Sequence, residues 1–226
     1  GVAPVAPAPQ TLDELVSDRA RRLTDYQDAH YAARFTATIA TVRVAEQRAL
    51  PGQSALSETA ARVLYALMAY KDEYEVARLH SDPAFHAAIA AQFEGTPTLR
   101  FHLAPPLVAQ RDPRTGHLLK KPYGAWVLTA FKWIARLKFL RGGAFDVFGR
   151  TAERRAERAR IAGYEALLAH IVAKLDAHNH RAAIELAAAA GRIRGFGHVK
   201  DKAAAAAALE EEKLLAAFEA RAKAAA

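Results

Sequence analysis

The stretch that most constrains this chain runs from Arg62 to His80, RVLYALMAYKDEYEVARLH. At about 100° per residue, Val63, Ala66, Leu67, Tyr70, Tyr74 and Ala77 share one helical face. Leu64, Tyr65, Met68, Ala69, Val76 and Leu79 cover most of the rest. A helix that is apolar nearly all round belongs at the centre of a fold rather than on its surface. Charges within it then need partners, because an unpaired buried charge is costly. Lys71, Asp72, Glu73, Glu75 and Arg78 sit in its second half. Lys71 and Glu75 are four apart and Glu75 and Arg78 three apart, a spacing that predicts an ion ladder down one side. Such a ladder serves position first, and a contact at a domain or subunit boundary second.

Around this element the sequence predicts a mainly α fold of about six or seven helices with one small β-hairpin over about residues 99–121. Gly1 to Gln10 mixes Ala, Pro and Val in the manner of a semi-extended linker, and is expected to join the chain to a longer polypeptide. Residues 11–226 read as a single helical accessory domain, with a subdivision offered near 95–124 by the hairpin. Thr11 and Glu14 fit a capping box. The helical pattern from Leu12 to about Arg48, striped by Leu12, Leu15, Val16, Leu23 and Tyr26 and then by Phe35, Ile39 and Val42, bends near His30 and is ended by Pro51-Gly52. Ser57 is expected to cap the central helix. Ser81-Asp82-Pro83 opens a short helix with proline at its first position, and Gly95 is placed to stop it.

Leu99, Phe101 and Leu103 then alternate as a strand, Pro105-Pro106 breaks that strand or confines it to an edge, Arg111 to Gly116 turns, and His117 to Lys121 returns. Trp126 to Leu140 is helical, with Trp126, Ala130, Trp133, Leu137 and Leu140 as its expected core stripe. Thr151 caps a helix from Ala152 to Leu175 striped by Ile161, Tyr164, Leu168, Ile171 and Leu175. Helices from about Asn179 to Ala190, stopped by Gly191, and from Ala203 to about Arg221 complete the chain.

Composition narrows the chemistry. No cysteine is present, so neither a disulfide nor a cysteine-ligated zinc or iron–sulfur site can form on this chain. The nine histidines are scattered, and His178 and His180, two apart, fall on different sides of a helix, so no metal signature arises. No nucleophile elbow or defensible Ser/His/Asp order is visible. GVAPVAPAPQ lacks the basic start and apolar core of a signal peptide, and no run is long enough to span a membrane, so a cytoplasmic protein is expected. The net charge of +8 permits nucleic acid, anionic cofactors or acidic partners without choosing among them.

Two loops could hold an anion. Phe145 to Arg150 leads into a helix start bearing Arg154, Arg155 and Arg158, and Arg192 to Lys200 leads into the last helix. Glycine lets backbone N–H groups approach an anion, a helix start adds partial positive charge, and arginine adds bidentate contacts. Arg150, Arg154, Arg192, Arg194, His198 and Lys200 are therefore candidates for the phosphates of coenzyme A or a nucleotide. The bland alternative is that these loops satisfy backbone carbonyls and pair with Glu153, Glu157 or an adjoining domain. No phosphate-loop or dinucleotide fingerprint is present. The basic helix with two tryptophans, Trp126 to Arg141, could lie on a membrane or nucleic acid, but aromatic residues at this spacing are more often core.

Several blocks together carry a family resemblance: LMAYKDEYEVARLH (Leu67 to His80), QFEG and LRFHLAPPL (Gln92 to Leu107), RDPRTGH, IARLKFLRG (Ile134 to Gly142), FGRTAERR (Phe148 to Arg155) and IRGFGHVK (Ile193 to Lys200). In this order they resemble the C-terminal region of the fused bacterial indolepyruvate ferredoxin oxidoreductases, members of the 2-oxoacid:ferredoxin oxidoreductases. The resemblance implies a parent enzyme that oxidatively decarboxylates an aryl-pyruvate to an acyl-CoA and passes electrons to ferredoxin. It implies thiamine diphosphate, iron–sulfur (4Fe-4S) clusters and coenzyme A for that parent, and no cofactor for this chain. No catalytic residue of the family has a matching position here. The expectation is a non-catalytic accessory domain that packs on the catalytic domains of the same polypeptide and on a second subunit. Coenzyme A binding through the Gly/Arg loops is the alternative, and a basic nucleic-acid module the weaker one. No membrane partner is expected.

Overall fold

The computed structural model describes residues 11–92, 100–103, 119, 121–124, 126–192 and 198–224, with backbone alone at 102, 192, 198–208 and 223–224. The chain is mainly helical, as the pattern predicts. It divides into two compact units, Gly1–Tyr70 with Ala156–Ala226, and Lys71–Arg155. The second is thus inserted into the sequence of the first, and the region near 95–124 lies within it.

Unit one begins with α1 (Leu12–Tyr26), opened by the expected reciprocal cap between Thr11 and Glu14. The bend expected near His30 is a full break at Gln27-Asp28. Asp28 accepts the Tyr31 N–H and starts α2 (Ala29–Ala49), whose Phe35, Ile39 and Val42 are buried as predicted. Gly52 turns the chain at φ +83°, a conformation that favours glycine. Next comes α3 (Ala55–Met68), and here the capping expectation is corrected. Ser57 lies inside the helix and is buried. The orphan N–H groups of Leu56 and Ser57 are instead taken by the Glu46 carboxylate, reaching across from α2 at 2.8 and 2.9 Å.

The return half of unit one holds most of α7 (Ala152–Lys174), then α8 (His180–Ala189) and α9 (His198–Ala224). The α7 stripe is buried as predicted. One apolar core joins Leu15, Leu23, Phe35 and Ile39 to Leu56, Leu64, Met68, Leu168, Ile171, Leu186 and Phe218. Each such fully buried side chain contributes roughly 1.5–3 kcal/mol of burial. Gly191 follows α8 at a close approach, where an added Cβ would stand 3.0 Å from Val63 Cγ2.

Unit two opens where the predicted central helix fails. Arg62 to His80 is not one helix: α3 stops at Met68 and α4 (Glu73–His80) restarts after Asp72. Asp72 leaves the helix to cap α4, accepting the Glu75 N–H at 2.8 Å. At the same time Tyr hydroxyls satisfy the carbonyls that the break releases, Tyr31 on Met68 at 3.1 Å and Tyr26 on Tyr70 at 2.9 Å. Periodicity alone does not see this, because the apolar pattern runs on through the break.

The short helix α5 (Pro83–Ala90) has proline first and Asp82 as its cap, as expected; Gly95 lies outside the described residues. The strands are β1 (Phe101–Leu103) and β2 (Lys121–Tyr123), paired antiparallel with Phe101 opposite Tyr123. The described return arm is Lys121–Tyr123, which carries the pairing beyond the expected end at Lys121; His117, Leu118 and Lys120 lie outside the described residues. Tyr123, partly buried, packs against the small core of this unit opposite Phe101. The expected turn at 111–116 and Pro105-Pro106 lie outside the described residues. The small core is Ala77, Phe101, Val127 and Phe131, the last two from α6 (Val127–Arg136), which continues as a 3-10 turn to Leu140. This corrects the predicted stripe: Trp126 is 65% exposed and Trp133 63%. Both faces of α6 are apolar at helical spacing. Phe131 wins the interior by standing edge-on to Phe101 and stacking on His80.

Candidate functional site

Unit two is knit by a buried polar network that draws on three separated stretches. Asp72, before α4, receives two bonds from the Arg141 guanidinium at 2.5 and 2.9 Å, with both side chains buried. The guanidinium also lies 5.4 Å from the centre of the Tyr74 ring. Tyr74 donates its hydroxyl to Asp146 at 3.1 Å, and its ring meets Phe148 edge-on. Burial, and then the Asp146 charge, push the Tyr74 phenol well above its ordinary range, so it stays a donor. Asp146 also accepts the Gly142 N–H at 2.7 Å and the Gly149 N–H at 2.8 Å. Gly142 takes φ +76° to present that N–H.

The first Gly/Arg loop thus wraps an anion of its own. Its inward N–H groups are engaged by Asp146. Arg150 donates to the Ala144 carbonyl at 2.8 Å, and Arg155 to the Arg150 carbonyl. Arg154 donates to Glu73 at 3.5 Å. Burial lowers the Arg154 affinity for its proton, but the charges of Glu73, Glu153 and Asp72 outweigh it and hold the guanidinium charged. In the second loop, Arg194 lies outside the described residues. So do the side chains of Arg192, His198 and Lys200, the last two in the first turn of α9.

Of the predicted ladder, Arg78 and Glu75 form a two-bonded pair at 2.8 Å. Lys71 precedes α4, is exposed, and makes no ion pair with Glu75 among the described residues. Asp72 and Glu73 look away from that ladder toward the loop, to Arg141 and Arg154.

Sequence reasoning missed a second polar knot, in unit one. Glu46, fully buried, accepts the Ser57 hydroxyl at 2.6 Å and lies 2.8 Å from His180 Nε2. Burial alone would raise its pKa. The bonds from Ser57, His180 and the two backbone N–H groups overcome that and hold it below the ordinary value. The carboxylate stands between the hydroxyl and the imidazole and at the same time holds the two free N–H groups of the first turn of α3, so the knot caps that helix. Glu46 and His180 lie 134 positions apart, and no local signal links them.

Outward from α6, unit two shows a different surface. Trp126, Trp133, Leu137 and Phe139 are exposed, and Phe145 and Val147 follow on the loop. Beside them lies a recess of about 310 Å³ lined by Arg78, Ser81, Asp82, Lys132 and Arg136. Among the described residues, no three His, Asp or Glu side chains are grouped to hold a metal ion, and no helix is long and apolar enough to cross a membrane.

Comparison with known proteins supplies the family: the chain belongs to a family of unknown function (DUF6537), which matches residues 12–213. No curated protein and no solved structure matches it.

Proposed function

We propose that this chain is a non-catalytic accessory domain of an indolepyruvate ferredoxin oxidoreductase, whose work is to pack against the catalytic domains and the subunit interface. One observation carries the reading. Three of the blocks that resemble that enzyme family, KDEYE, LKFLRG and FGRTAERR, meet in one network through Asp72–Arg141, Tyr74–Phe148 and Glu73–Arg154. Asp72, Arg141, Tyr74 and Asp146 are engaged with one another, which suits holding a shape. The exposed aromatic surface beside them suits contact with other protein. The cysteine-free chain offers no thiolate to an iron–sulfur cluster. The clusters accordingly belong to the rest of the proposed enzyme, and the same is proposed for thiamine diphosphate, coenzyme A and ferredoxin.

The test compares the full reading frame that encodes these residues with a version truncated before residue 11. The full polypeptide is expected to reduce ferredoxin with indolepyruvate and coenzyme A. The truncated one is expected to keep its iron but lose its subunit assembly. An inactive full polypeptide, or decarboxylation by the 226-residue chain alone, overturns the reading.

A further inference from the structure

Helix α6 is apolar on two opposite sides. Val127 and Phe131 face the small core, while Trp126, Trp133 and Leu137 lie on the other side, continued by Phe139. A solvent face of this kind is unusual in a helix that already has its core contact. Its charge is equally one-sided. Between Asp112 and Asp146 the sequence carries Arg114, Lys120, Lys121, Lys132, Arg136, Lys138 and Arg141 and no acidic residue at all. Lys132 and Arg136 stand between the aromatic ridge and the recess, and with Arg78 they line it against a single carboxylate, Asp82. The Ser81 hydroxyl, which also lines this recess, has no hydrogen-bond partner among the described residues.

We propose that this face docks a protein surface that is itself apolar and acidic. The ridge of Trp133, Leu137 and Phe139 buries against apolar side chains of the partner. Lys132 and Arg136 receive one of its aspartates or glutamates at the recess, where arginine's planar fork suits a carboxylate. Charge complementarity chooses the partner: Arg141 is engaged with buried Asp72, but Lys132 and Arg136 at the recess belong to a stretch with no acidic residue, and such a face repels another basic surface. A stacked nucleic-acid base is disfavoured, because the Arg136 guanidinium already lies over the Trp133 ring, 5.2 Å from its centre. A recess of this volume beside a ridge accommodates one protruding side chain. The inference rests on the accessory-domain reading only for the partner's identity, which is then the catalytic portion of the same enzyme.

The experiment is zero-length carbodiimide crosslinking of the purified native polypeptide, with the subunits that co-purify, followed by peptide mapping. Lys132 is expected to join an identified Asp or Glu outside these 226 residues. That yield should fall about tenfold in Arg136→Glu and recover in Arg136→Lys, as expected when a close interfacial charge is reversed. Trp133→Ser should lower it as well. Lys132 crosslinks confined to this chain, or absent, overturn the proposal. So does Trp133-dependent binding to phosphatidylserine vesicles or to single-stranded DNA. An active oxidoreductase without Lys132 crosslinks sinks the docking face alone. A Lys132 crosslink in a polypeptide inactive toward indolepyruvate sinks the accessory-domain reading alone.

Discussion

The two units reach stability by different physical routes. Unit one is a set of helices around a continuous apolar core, with Leu15, Phe35, Leu64, Ile171 and Leu186 fully buried. Its polar knot, Glu46 with Ser57 and His180, sits at one helix start. Among the described residues, the apolar core cluster of unit two is Ala77, Phe101, Val127 and Phe131. Unit two depends on the Asp72–Arg141 pair and on Tyr74 and Asp146 to fix its loop. Hydrophobic burial is non-directional and tolerates small rearrangement. Buried ions do not, because the loss of one partner strands the other in a low dielectric. The difference teaches where the chain keeps its geometry fixed: around the loop behind the aromatic face.

The sharpest way to break this comparison is Arg141→Met. It leaves Asp72 buried without its cation and is expected to cost about 3–5 kcal/mol. Peptide-resolved hydrogen exchange should place the loss in residues 71–155. Loss spread evenly over both units would end the distinction. Leu64→Ala, in the core of unit one, is expected to cost about 2–5 kcal/mol through lost burial and a cavity. Denaturant titration measures it, and exchange should rise in α3 and α8 first. Glu46→Gln substitutes an amide donor for one acceptor oxygen of the α3 cap. Its expected cost is about 1–3 kcal/mol, with fraying confined to the first turn of α3.

Acid should separate the units next. His80 titrates below its ordinary 6.5, chiefly through burial and then through Lys71 and His86. Its contribution is therefore complete above pH 6.5 and is lost as pH falls toward the lower folded-state value. Glu46 is likewise depressed, so its contribution is complete above 4.5 and drains at lower pH. Exchange corrected for intrinsic rates should show α4 and α6 loosening first and the start of α3 later; the reverse order would contradict the burial described for His80. The smallest effect expected is Trp133→Ser, a surface change worth no more than about 0.5 kcal/mol of folding stability. A large loss in thermal unfolding would mean that the aromatic face is part of the core of unit two.

Much of the fold was legible in the residues. The helical stripes of α1, α2 and α7, the Thr11 cap, the Gly52 turn and the Pro83 start all follow local rules, and each is a property of neighbours within a few positions. The misreadings share one cause. The break at Tyr70 and Asp72, the cap on α3 and the inward face of α6 each depend on a residue far along the chain: Arg141, Glu46 and Phe101. The ladder was half legible for the same reason, since Glu75–Arg78 is local whereas Asp72–Arg141 and Glu73–Arg154 are not.

By itself the sequence determined helix content, the positions of most helix ends, the absence of thiolate chemistry and the one-sided charge around α6. Periodicity, capping chemistry and composition are local or additive, so no contact is needed to read them. Only the tertiary structure decided which of two equally apolar faces of α6 is buried, and that the glycine loop is filled by Asp146. Both outcomes hang on competition between distant partners for the same buried space, and a linear pattern carries no record of that contest.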